Sequence, residues 1–201
     1  MISTVIFDVG MVLAKFRWKE YLEEFEWAEE IKEKVAKATV LSTTWNQFDK
    51  GSMTWQELYA EFCYNDESVR NEIALFFENL ENIVRMYDDS VDWVKQVKES
   101  GYKVYILSNY PEYLYEKSQE ELRFLEYVDG AVFSFKEKTV KPEPEIYQCL
   151  LERYSINPSE AVFLDDVAMN LEAAKKYGIH TILVQDREEA QKELKKMLKK
   201  V

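Results

Sequence analysis

Five short, mostly apolar runs punctuate the chain without the polar alternation of a half-solvated strand: Thr4 to Phe7, Lys103 to Leu107, Gly130 to Phe133, Ala161 to Leu164 and Thr181 to Val184. Strands buried on both faces read this way, and such burial belongs to parallel sheets. Between the later runs, apolar residues recur at helical spacing. Asp89 to Ser100 sets Val91, Val94 and Val97 on one face and stops before Gly101, while Glu143 to Tyr154 carries Ile146, Leu150 and Leu151. Asn170 to Tyr177 opens at a good cap residue and stops before Gly178, the usual choice just past a helix end. A last helix opens with the Asp186, Glu189 capping pattern and buries Ala190, Leu194 and Met197. Strands alternating with helices predict an α/β fold: a doubly wound, Rossmann-like parallel sheet of about five strands.

The stretch from Lys15 to Tyr87 breaks this rhythm, reading as consecutive helices with no convincing strand. It predicts an all-helical insertion over 15–87, with residues 1–14 and 88–201 forming the core domain. Within it, Asp49, Lys50 and Gly51 read as a turn, followed by a capping box at Thr54 and Glu57. Trp18, Trp27, Trp45, Phe48 and Trp55 are expected to form the insertion's own core, with those near the turn open to facing a substrate.

Candidate chemistry gathers at the ends of the strand-like runs. Asp8 closes the first, Ser108 and Asn109 follow the second, Asp165 and Asp166 close the fourth, and Lys141 stands ahead of a helix beside Pro142. Ligands of open α/β sheets bind beyond the carboxyl ends of the strands, so these groups can share one site. At ~4 Å and an effective dielectric of about 20, each pair of like charges costs roughly 4 kcal/mol. A bound cation removes that cost, and magnesium suits carboxylates, a carbonyl and substrate phosphate. Lys141 and Ser108 would then hold the remaining phosphoryl oxygens.

Composition narrows the alternatives. One histidine, His180, and two cysteines without metal-ligand spacing, Cys63 and Cys149, leave little for zinc or for a Ser-His or Cys-His nucleophile. A formal net charge of −12 opposes nucleic-acid binding and obliges an anionic substrate to find local cations. No apolar stretch has the length of a membrane span, and the expected setting is the cytoplasm, with oligomeric state open.

The segments FDVGMVL, ILSN, KPEPEIY and FLDD, in this order, resemble the four motifs of the haloacid dehalogenase superfamily. Residues 141–186 are especially similar to the phosphatase domain of soluble epoxide hydrolase and to bacterial sugar-phosphate phosphatases. The resemblance implies that Asp8 is a nucleophile that becomes an aspartyl-phosphate. It makes Asp166 the acidic metal ligand, Asp165 its outer-sphere partner and the carbonyl of Gly10 the third protein oxygen for Mg2+. Ser108 would hydrogen-bond the phosphoryl group, Lys141 would bridge it to Asp8, and the helices after Lys15 would form a cap that selects substrates. Asn109, Tyr110, Lys15 and Trp45 are the substrate-binding candidates, with Trp18, Phe48 and Lys50 also near the expected pocket. Most phosphatases of this family carry an aspartate where this chain has Gly10; it serves as general acid and base, help worth ~10²- to 10⁴-fold. Met11 replaces a usual glycine in the same loop. The expected activity is a magnesium-dependent phosphomonoester hydrolase for a small phosphorylated metabolite such as a sugar phosphate. The alternatives are a metal-free 2-haloacid dehalogenase, whose leaving halide needs no proton, and a catalytically weak phosphate-binding or phospho-acceptor protein.

Overall fold

The computed structural model describes residues 1–198. Its strands are β1 (Thr4–Phe7), β2 (Ala14–Phe16), β3 (Val84–Met86), β4 (Lys103–Ser108), β5 (Gly130–Phe133), β6 (Ala161–Asp165) and β7 (His180–Leu183). Five of them form a parallel sheet in the order β5-β4-β1-β6-β7. The helices are α1 (Trp18–Glu23), α2 (Glu29–Ala38), α3 (Thr43–Lys50), α4 (Trp55–Asn65), α5 (Arg70–Glu78), α6 (Ser90–Glu99), α7 (Glu112–Lys117), α8 (Ser134–Glu137), α9 (Pro144–Arg153), α10 (Ala168–Lys175) and α11 (Arg187–Leu198).

The sheet's two faces explain why its strands read as continuous apolar runs. Val5, Phe7, Val104, Ile106, Val162 and Leu164 join one apolar layer with Trp93 and Val94 of α6 and Ala190 and Leu194 of α11. Ile6, Tyr105, Leu107 and Phe163 join the other, with Ile146 and Leu150 of α9 and Leu171 and Ala174 of α10. Successive side chains point to opposite layers, so both sets of positions along a central strand are largely apolar. Each fully buried aliphatic or phenyl side chain contributes roughly 1.5–3 kcal/mol relative to exposure. The doubly wound α/β expectation therefore holds, with helices on both faces.

Helix boundaries follow local chemistry. Asp89 and Ser100 flank α6, and Glu143 and Tyr154 flank α9. Asp186 Oδ1 accepts the Glu189 amide at 3.0 Å, as the capping pattern anticipates. The reading of Asn170 as a helix cap is corrected: α10 begins two residues earlier, at Ala168. Asn170 is freed for another task, because its carboxamide donates to Asp165 instead.

Between β1 and β4 the chain is chiefly helical, as expected, with a core of Trp45, Phe48, Phe62 and Phe77 whose rings lie 5.0 to 6.5 Å apart. Two expectations are corrected here. A short antiparallel ribbon pairs Ala14 with Met86, Lys15 with Arg85 and Phe16 with Val84, so the stretch is not free of strands. Three-residue strands are too short to show a period, and these partners are far apart in sequence. Asp49 and Lys50 belong to the last turn of α3, while only Gly51, left-handed at φ 62°, makes the turn. Thr54 and Glu57 form the expected capping box at the start of α4. Among the described residues no helix is long and apolar enough to cross a membrane.

Candidate active site

The sheet order places β1 between β4 and β6, where successive connections leave in opposite directions. Ligands of such sheets bind at this switch point, beyond the strand ends. Asp8 follows β1 there, its amide donating to the carbonyl of Leu164 at 2.9 Å. Asp165 ends β6, Ser108 ends β4, and both are buried.

Lys141 ties these ends together. Its ammonium lies 2.9 Å from Asp8 Oδ1 and 2.7 Å from Asp165 Oδ2, with all three side chains buried. The lysine is held by Asn109, whose Oδ1 accepts the Lys141 amide at 2.7 Å and whose Nδ2 donates to the Lys141 carbonyl at 3.0 Å. Asp165 also accepts hydrogen bonds from the Val167 amide at 2.7 Å and from Asn170 at 3.2 and 3.1 Å. Asp8 accepts its own neighbour's amide, Val9, at 2.7 Å. Ser108 Oγ donates only weakly, to the Asn109 carbonyl at 3.4 Å.

The charges do not balance. Three carboxylates face one ammonium, and oxygens of Asp8, Asp165 and Asp166 all lie within 4.8 Å of one another. Burial, with help from Asp165 and Asp166, pushes the Asp8 carboxyl up to about 7 against the pull of Lys141. Burial and Asp165 push Asp166 up to about 6. Burial works against the charge on Lys141, but Asp165 and Asp8 overcome it and hold its pKa above the ordinary value. Excess negative charge on hard oxygen donors fits a divalent cation such as Mg2+. Asp165 is already saturated by Lys141, Asn170 and Val167, which leaves Asp8 and Asp166 as the carboxylates free to bind one directly.

A cavity of about 220 Å³ opens beside this cluster. Gly10, Asp166, Asn109, Tyr110, Lys15 and Trp45 are in its wall, so the structure brings these sequence candidates together. Three others are placed elsewhere. Trp18 lines a separate groove, Phe48 sits in the helical core, and Lys50 turns away to pair with Glu143 at 2.9 and 3.0 Å. The Tyr110 hydroxyl is engaged within the protein, 2.9 Å from Ser118 Oγ. Met11, which stands where the family usually has glycine, adopts the left-handed φ of 57° that glycine would take at no steric cost. Beyond the predicted residues, Phe16, Val84, Pro111 and Leu114 add apolar wall, and Asp49 adds a carboxyl. Sequence reasoning missed Asp49; the signal available was an acidic residue at a helix C-terminus, where the macrodipole disfavours it.

The family model for haloacid dehalogenase-like hydrolases matches residues 2–178. Acyl-CoA dehydrogenase family member 10 of Mus musculus is 33% identical over 78% of this chain, and the match spans only 15% of that protein's length. Sesquiterpene phosphatase astK of Aspergillus oryzae is 25% identical, covering 88% of this chain and 87% of its own. A solved structure of a haloacid dehalogenase family enzyme from Bacteroides thetaiotaomicron, in complex with magnesium and inorganic phosphate, superposes with a TM-score of 0.69. It is 24% identical and covers 91% of this chain and 94% of its own.

Proposed function

The chain belongs to the haloacid dehalogenase-like hydrolases, and from that premise we propose that it is a magnesium-dependent phosphomonoester hydrolase working through a phosphorylated Asp8. The observation that carries the reading is Lys141, whose buried ammonium bridges Asp8 and Asp165 inside a cluster of three carboxylates. The named activity of astK and the magnesium and phosphate in the Bacteroides structure agree with it.

In this reading the Asp8 oxygen attacks phosphorus, and Lys141 steadies both that oxygen and a phosphoryl oxygen as charge spreads over the group. Asp8, Asp166 and the Gly10 carbonyl would hold Mg2+, which supplies charge neutralisation at the phosphoryl oxygens. Asp165 holds Lys141 and is itself held by Asn170, so it acts on the site's geometry. Asn109 fixes the Lys141 backbone, and Ser108 takes the phosphoryl oxygens once its weak bond to the Asn109 carbonyl is exchanged. The helical segment, residues 15–87, closes over the cavity as a substrate-selecting cap. Its wall is largely apolar, with Phe16, Trp45, Val84, Tyr110 and Leu114 set around Lys15. That lining favours a phosphate ester whose alcohol carries apolar surface over a bare sugar phosphate.

The test is a phosphate-release screen over sugar, acyl, nucleoside and alkyl phosphates, with and without magnesium. Metal-dependent release by the wild type and none by Asp8→Ala is expected. Equal release by Asp8→Ala would sink the reading. The dehalogenase alternative has Gly10 in its favour but leaves the carboxylate cluster uncompensated; chloride release from 2-chloropropionate in a chelator would establish it instead.

A further inference from the structure

We infer that Asp49 is the proton donor and acceptor of this hydrolysis, supplied by the last turn of α3 in the place of the aspartate that Gly10 lacks. The inference rests on the phosphatase reading above and names a group that reading leaves open.

Three observations carry it. Asp49 shares the cavity wall with Gly10 and Asp166, which sets it beside the space that opens next to the Asp8 cluster. The residue is 9% exposed, and its carboxyl accepts no hydrogen bond from the described residues, although a buried acid kept for structure is normally partnered. Finally, the backbone around it is fastened to the core at three points. Ser134 Oγ donates to the Asp49 carbonyl at 2.5 Å, Lys50 pairs with Glu143, and Lys138 Nζ donates to the Gly51 carbonyl at 2.5 Å. An isolated acid at the unfavourable end of a helix, buried and firmly positioned, breaks local rules of stability in the way functional groups do.

The charged groups around it give the carboxyl a working protonation state. Asp8 and Lys141 act on it from the core, and Asp166 and Lys15 share its cavity wall. Burial, then the Asp8 charge, push it up to about 8 against the pull of Lys141, so it holds a proton at neutral pH. Chemistry then proceeds in two balanced steps. As the Asp8 oxygen bonds to phosphorus, the bond from phosphorus to the ester oxygen breaks with its electron pair. That oxygen takes the Asp49 proton and leaves as the alcohol. In the second step, the Asp49 carboxylate accepts a proton from water as the water oxygen bonds to phosphorus. The bond from phosphorus to Asp8 breaks, inorganic phosphate departs, and both aspartates return to their starting forms.

The experiment compares wild type and Asp49→Asn on an alkyl phosphate and on 2,4-dinitrophenyl phosphate, whose leaving group needs no proton. Loss of general acid help predicts a fall of ~10²- to 10⁴-fold in kcat/KM on the alkyl ester. The burst of dinitrophenol should fall far less, and the variant should accumulate phospho-Asp8 in the intact mass, because release by water also needs the base. The surviving burst itself reports a folded site. Equal losses on the two substrates, or no loss on the alkyl ester, overturn the role of Asp49. If Asp49→Asn fails to fold, Asp49→Ser is read by the same criteria. Wild type that forms no phospho-Asp8 with either substrate overturns the phosphatase reading itself, which separates the two failures.

Discussion

At position 10 the structure leaves room for the residue that is missing. A Cβ built on Gly10 meets no atom within 4 Å, and its φ lies outside the left-handed range, so an aspartate fits without strain. Gly10→Asp placed in the Asp49→Asn background should therefore restore turnover of alkyl phosphates by at least tenfold, within the range general acid help supplies (~10²- to 10⁴-fold). In otherwise wild-type protein it should change kcat little, and paired kcat/KM measurements decide between the two. The buried acid also leaves a thermodynamic trace. Unfolded, the Asp49 carboxyl lies in the ordinary range near 3.8, and burial in the fold pushes it up to about 8. Between those values the folded state holds the extra proton, so stability from this group is complete below the lower value and is lost as pH rises through the upper one. Metal-free Asp49→Asn should accordingly gain in Tm over wild type as pH increases from 4 to 8, and a constant difference would contradict the burial of a neutral carboxyl. Asp8, Asp165 and Lys141 were legible because each stands beside an apolar run or a proline that fixes its place. Asp49 was not, since Asp-Lys-Gly reads as an ordinary turn and its backbone is held by Ser134, far along the chain.

At the level of elements, α3 matters through its end rather than its length. Its C-terminal turn is the point where the helical segment is fastened beside Lys141, because Glu143, two residues beyond that lysine, receives both the Lys50 ammonium and the Thr139 hydroxyl. The Lys50 to Glu143 pair is partly exposed, so its worth is about 0.2–1 kcal/mol, or up to a factor of about five in a closure equilibrium. Lys50→Ala should therefore lower kcat on alkyl phosphates by no more than about fivefold. A much larger loss measured at low salt would mean that Lys50 does more than fasten the helix. The strands and core helices were readable because their apolar periods are long and unbroken. The ribbon of β2 and β3 was hidden, since its three-residue strands gain stability only from pairing across the whole helical segment. The start of α10 was misplaced for a related reason: Asn170 has the chemistry of a cap, but tertiary contact with Asp165 claims it.

For the whole molecule, the charge distribution sets how substrate arrives. The chain carries a formal net charge of −12, while Lys141 at the site is buried between carboxylates and Lys15 in the cavity wall lies over the Tyr87 ring at 5.5 Å. A phosphate monoester approaching from solvent meets the summed negative field first and these local cations only at the end. Repulsion of this range is screened by salt, with a Debye length of about 30 Å at 0.01 M and about 8 Å at 0.15 M. At fixed saturating magnesium, raising sodium chloride across that interval should increase kcat/KM for a phosphate ester while leaving kcat nearly constant, because encounter improves and the enclosed chemistry does not change. A pair of measurements on one substrate, initial rates at low and at saturating concentration, separates the two parameters. A fall in kcat/KM with salt would show instead that a local positive field at the cavity mouth governs capture, and would shift attention to Lys15, whose reversal to glutamate would then be expected to abolish the dependence.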